Sequence, residues 1–330
     1  MIQRFFGYLL KNQVLFALFI IAVGWTIIQI RDLLLSVFLS YIIMASILPS
    51  VNYLRKKNFP KLLAVVIPYS TVLIALILLI FPLVPFVIAQ IQILIAGFPL
   101  YLKQATLTLG LSLDSTQLQS YLANQLSNIS KNAFDLTTQV FGGFFTFIMV
   151  FIISFYLLLY YDEFKKFIAG LFPHEKRPYI ASTLDEINDK LGLWLRGEII
   201  LMSFIGLLSW IALLSLGIPN ALPLALLSGL LEIVPTLGPV LSAIPAVIVA
   251  LTISPTLAIS VIIVYTLIQL IENNFLVPKI MEKAVGLNPI VVILGVLVGA
   301  NLIGISGALL AIPLITFILV IFKSLEKKHP

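Results

Sequence analysis

Residues 221–254 read ALPLALLSGLLEIVPTLGPVLSAIPAVIVALTIS, and residues 289–322 read PIVVILGVLVGANLIGISGALLAIPLITFILVIF. Both are apolar over more than the ~20 residues a helix needs to cross a bilayer. Neither is a plain span. The first is interrupted at Pro235-Thr236-Leu237-Gly238-Pro239 and the second at Gly304-Ile305-Ser306-Gly307. Proline has no amide donor and glycine lowers helix propensity, so each run divides into two arms. Arms of about 14–17 residues reach roughly 21–25 Å at 1.5 Å per residue, a little short of a full crossing. Re-entrant hairpins and paired full spans both satisfy this pattern.

The rest of the chain supplies ordinary spans, at about 13–30, 33–49, 62–89, 140–160, 199–217 and 256–272. The fold expected is all-α: a polytopic helical membrane protein of about eight membrane segments, with two broken or re-entrant hairpins in its C-terminal half. Composition agrees. Of 330 residues, 61% are hydrophobic and 10% charged, with a mean hydropathy of +1.13. Soluble domains are nearer 45–50% apolar and ~25% charged. Soluble enzymes, secreted domains and disordered chains are thereby set aside. The run 13–30 ends at Arg31-Asp32 with a second run following at once, which suits a retained span rather than a cleaved signal.

The 20 Lys and Arg outnumber the 14 Asp and Glu. They cluster in short segments: Arg55, Lys56, Lys57 and Lys61; Lys165, Lys166, Lys176, Arg177, Lys190 and Arg196; Lys279 and Lys283; Lys323, Lys327 and Lys328. The positive-inside rule places these segments and both termini in the cytoplasm, facing anionic lipid. Segment 90–139 carries only Lys103 and Lys131 and belongs outside, its apolar residues spaced as in amphipathic helices. Span 199–217 plus an outside-opening hairpin is then followed by span 256–272 plus an inside-opening hairpin. That is an inverted repeat, and broken segments in matching positions of inverted halves point to a midplane transport site. The expected division is a scaffold, 1–160, a cytoplasmic helical linker, 161–198, and a transport domain, 199–322.

Catalytic constellations are absent from the sequence. Ser306 sits in a GxSG context, but the two histidines, His174 and His329, fall in a basic loop and the tail, so no base reaches it. Tyr161-Asp162 has no second aspartate at membrane depth. Without cysteine there are no disulfides or thiolate ligands, and no His/Asp spacing suits a metal. Phosphate-binding glycine loops and nucleic-acid motifs are also missing. Neither enzyme activity, cofactor, metal nor nucleic-acid partner is expected.

The informative acids are Glu232, between Leu231 and Ile233, and Glu272, which ends an apolar run. A carboxylate in such surroundings lines a cavity or finds a partner. Gln269, Asn273, Asn274 and Asn301 add neutral polar groups in the same region. Gly295 and Gly299 form a small-residue pair suited to close helix packing.

One set of blocks is distinctive: Trp194-Leu-Arg196-Gly197-Glu198; Leu216-Gly217-Ile-Pro219; Glu232-Ile-Val-Pro235-Thr-Leu-Gly238-Pro239; Ile271-Glu272-Asn273-Asn274-Phe-Leu-Val-Pro278-Lys279; Gly286-Leu-Asn-Pro289; and Gly304-Ile-Ser-Gly307-Ala-Leu-Leu-Ala-Ile-Pro313. Over about 190–315 their order and spacing resemble the autoinducer-2 exporter family of bacterial permeases. The N-terminal half resembles that family only in layout. An aromatic is usual where Thr236 stands, and glutamine is frequent where Glu198 stands. The resemblance implies an oligomeric permease with an elevator-like moving half. It exports the furanone-type quorum signal or, in other members, exchanges sodium for protons.

Three functions follow as expectations: a secondary transporter exporting a small polar solute from the bacterial inner membrane, a sodium/proton antiporter of the same fold, or a scaffold subunit without transport. For transport, the substrate-binding set is Pro235, Thr236, Gly238, Pro239, Asn301, Gly304, Ser306 and Gly307. The coupling set is Glu232, Gln269, Glu272, Asn273 and Asn274. The partners are the solute, a proton or sodium ion, membrane lipid and further copies of the chain.

Overall fold

A computed structural model of the chain describes residues 13–79, 85, 133–234, 237–281 and 286–326. Pro235, Thr236, Lys283 and nearly all of segment 90–139 lie outside the described residues. Among the described residues there is no strand. The helices are α1 (Gln13–Gln29), α2 (Arg31–Lys56), α3 (Lys61–Leu79), α4 (Ala133–Leu159), α5 (Tyr161–Gly170), α6 (Arg177–Ser215), α7 (Ala221–Leu231), α8 (Leu237–Leu251), α9 (Pro255–Ile271), α10 (Val277–Met281), α11 (Pro289–Ile303) and α12 (Ile305–Glu326). By length and apolarity five of the described helical segments suffice to cross a membrane, or six if α4 and α5, bent by 78° at Tyr160, count as one.

Large apolar side chains cover the outside: Leu78, Phe145, Ile211, Ile263 and Leu297 are all exposed. A water-soluble monomer does not present apolar surface on this scale; a lipid-facing one does. Inside, α2, α3 and α4 enclose Met44, Val65, Tyr69 and Phe151. A second core joins α2, α6 and α12 through Ile42, Leu191, Trp194 and Leu310. A third joins α6, α7, α8 and α9 through Leu213, Leu224, Val261 and Tyr265. Helix α6 borders two of these cores and so ties the two halves of the chain together.

Pro178 occupies the first turn of α6, where its missing amide would have no helical partner, and α6 then runs unbroken for 39 residues. After Ile271, Glu272–Leu276 continues α9 as one π-helical turn and α10 follows directly.

Helix α2 runs past the expected end of its span at 49 and ends only at Lys56, despite Pro49 within it. Proline leaves the carbonyl four residues back without its donor. Here that carbonyl belongs to Ala45, and the Arg196 guanidinium of α6 reaches it at 3.4 Å and Ser46 O at 3.1 Å.

Arg55 and Lys61 lie at the same end of the molecule as the starts of α5 and α6. Arg55 pairs with Asp162 at 3.7 Å and Lys61 with Glu163 at 3.6 Å. Near the end of α12, the Ser324 hydroxyl meets the hydroxyls of Thr183 and Tyr179, each at 2.6 Å. The ends of α2 and α12 and the starts of α5 and α6 therefore share one side.

Candidate functional site

Both interrupted runs fold as antiparallel helical hairpins. In the second, the break reduces to Gly304, whose φ of 66° and ψ of −146° suit a residue without Cβ. Gly299 and Gly307 then face each other across the hairpin so closely that a Cβ on either would fall 2.0–2.3 Å from the other's carbonyl oxygen. Helices α11 and α12 pack backbone to backbone there, as small residues permit. The arms are unequal, 15 residues in α11 and 22 in α12, so α12 is long enough to be a span. The first hairpin pairs α7, of 11 residues, with α8, of 15. Gly238 is buried against the backbone of Leu231 at its neck, and Pro239 is half-buried. Val234, beside the first tip, packs on Val296, Ala308 and Ala311 of the second hairpin.

The neck of the first hairpin is also where charge enters the core. Glu232 caps α7 and is 2% exposed; its Oε2 is buried with no hydrogen-bond partner. Glu272 opens the π-helical turn and is 4% exposed. That turn closes its backbone ring from the Val277 amide to the Glu272 carbonyl, one residue wider than an α-turn. Such bulges recur where a side chain is re-aimed. Gln269 donates from Nε2 to Glu272 Oε2 at 3.2 Å. The carboxyl groups of Glu232 and Glu272 lie close enough to act on each other electrostatically.

A third carboxyl joins them. Glu198 of α6 is 2% exposed and lies within electrostatic reach of both. Beside it, Gly197 lets α6 approach Met281 of α10. The sequence reading noted Glu198 only within a motif block and did not place it in the site. Its signal was the same as that of Glu272: a lone acid at the edge of an apolar run.

The structure thus brings together Glu232, Gln269 and Glu272 of the expected coupling set. Asn273 and Asn274 are exposed, and Asn274 Nδ2 donates back to the Leu270 carbonyl of its own helix at 2.8 Å. Of the expected substrate-binding set, Asn301, Gly304 and Ser306 stand exposed at the second tip, while Gly307 is buried in the hairpin. Pro235 and Thr236 lie outside the described residues. Among the described residues, no cluster of three or more His, Cys, Asp or Glu side chains suits a metal ion.

A bundle of apolar helices with an exposed apolar surface, two helical hairpins and buried acids defines a multi-pass membrane protein. Comparison with known proteins specifies it further. The sequence pattern of AI-2E family transporters matches residues 14–327, and the chain belongs to that family. It is 27% identical to YueF of Bacillus subtilis over 96% of this chain and 92% of that protein, which carries the name of a transport protein. YrrI of the same organism, also named for transport, is 26% identical over 88% and 85% of the two chains. PerM of Escherichia coli K12, named as a permease, is 31% identical over 52% and 49%.

Proposed function

We propose that this transporter exports a small polar solute across the bacterial inner membrane by secondary active transport, with both termini in the cytoplasm. The observation that carries the reading is the junction itself. One broken hairpin touches another through Val234, with buried carboxyls at the neck of the first. Unwound backbone in a membrane must face protein or a cavity, and it offers amides and carbonyls to a ligand. Those groups, with Thr236, Asn301 and Ser306, would hold a hydroxylated solute such as the furanone-type quorum signal autoinducer-2. Glu232 and Glu272 would carry the coupling proton.

The basic end of the molecule, where Arg55, Lys61, Lys165 and Lys176 gather, would face the cytoplasm. Residues 199–322 would move in an elevator-like manner against 1–160, which would hold the oligomer together. Buried carboxyls also suit a second reading, sodium/proton exchange on the same scaffold, because either cation can neutralise them.

Reconstituted vesicles separate the two. Labelled autoinducer-2 should accumulate under an imposed proton gradient. For an exchanger, an imposed sodium gradient should move protons with no solute present. Vesicles that do neither would defeat both readings.

A further inference from the structure

Three helices meet at the neck of the first hairpin, and each brings one carboxyl and one hydroxyl to the junction. Helix α6 carries Glu198 and Ser209, α7 carries Glu232 and Ser228, and α9 with its π-turn carries Glu272 and Tyr265. All six residues are more than nine-tenths buried. The pairs are in register with the chain directions. Gly229 of α7 lies against Met202 and Gly206 of α6, and Ala225 against Gly206, so the two helices run antiparallel. Glu198 precedes Ser209, whereas Glu232 follows Ser228 and Glu272 follows Tyr265. The carboxyls therefore form one layer and the hydroxyls a second, farther from the basic end. In the second layer Ser228 Oγ and the Tyr265 hydroxyl are 2.9 Å apart, and Ser209 Oγ is buried without a hydrogen-bond partner.

We infer that Glu198, Glu232 and Glu272 form a single shared-proton site at the neck of the first hairpin. Two ionised carboxylates buried side by side repel each other, so the burial of Glu232 beside Glu272 favours a proton held between them. Glu232 Oε2, buried without a partner, is the open acceptor for the next one. Among the described residues, no cation competes for the site. Arg196, two residues before Glu198, is turned to the α2 carbonyls, and Lys279 on α10 is exposed. Apart from these groups, α7, α8 and α9 carry no ionisable side chain among the described residues, and Gln269 donates to the cluster through Glu272.

This rests on the proton-coupled reading of the transporter but is tested without any solute. Infrared titration of the purified full-length protein reads the C=O stretch of protonated carboxyls. Substituting E198Q should remove one carboxyl and shift the titration of the remaining two, because coupled groups titrate as a set. An unchanged titration of the other two would overturn the shared site. Should E198Q not fold, the wild-type curve decides alone: overlapping macroscopic steps support the site, and a single independent step overturns it.

Discussion

A carboxylate in the middle of a bilayer costs roughly 2.5–3.5 kcal/mol, so three within one helix junction call for a function beyond packing. Replacing Glu232 with glutamine preserves shape and removes the charge. If Glu232 carries coupling, solute flux in vesicles loses its pH dependence while the protein still folds and assembles; an unchanged pH profile would leave Glu232 with a structural role alone. Gly229 tests the packing that brings the layers together. A Cβ there would lie 2.6 Å from Met202 O, which is backbone and has no easy retreat. Gly229→Ala should cost about 1–3 kcal/mol, read as a lower unfolding temperature in detergent. Wild-type stability would mean that α6 and α7 can separate freely at this point.

At the scale of the element, each hairpin depends on a short stretch of backbone. Gly304 is held at a positive φ with ψ near extended, a region that side chains with a Cβ avoid. Gly304→Ala should destabilise the second hairpin by about 1–3 kcal/mol, visible as faster proteolysis at the tip. Combined with Pro235→Ala, it should abolish flux. Intact flux in the double variant would remove the paired hairpins from the site. The interruptions themselves were legible because proline and glycine are local signals. Their finer form was not. The second break is Gly304 alone, with Ile305 already helical, since the close approach of Gly299 to Gly307 decides where the turn ends. The π-turn at Glu272 was equally hidden, because nothing in Glu-Asn-Asn-Phe-Leu marks a widened ring until α6 and α10 pack beside it.

For the whole molecule, sidedness is the decisive expectation. The chain has no cysteine, so single cysteines placed at Lys56 or Lys176 should label only from the cytoplasm, and one at Ser115 only from outside. Labelling of position 115 from inside would reverse the topology and remove the inverted repeat. The pairing of Arg55 with Asp162 and of Lys61 with Glu163 already joins two basic segments that lie about 100 residues apart in the chain. Composition and the spacing of apolar runs were enough to settle an all-α membrane protein, because a bilayer accepts few backbone solutions and each needs a long apolar stretch. Apolar runs also located the hairpins, and isolated acids singled out Glu232 and Glu272. Only the tertiary structure recruited Glu198 to them and set Ser209, Ser228 and Tyr265 behind. Those six residues come from three helices spread over more than 70 positions. Which faces of those helices meet depends on crossing geometry at Gly197, Gly206 and Gly229, and periodicity within one helix carries no information about the helix packed against it.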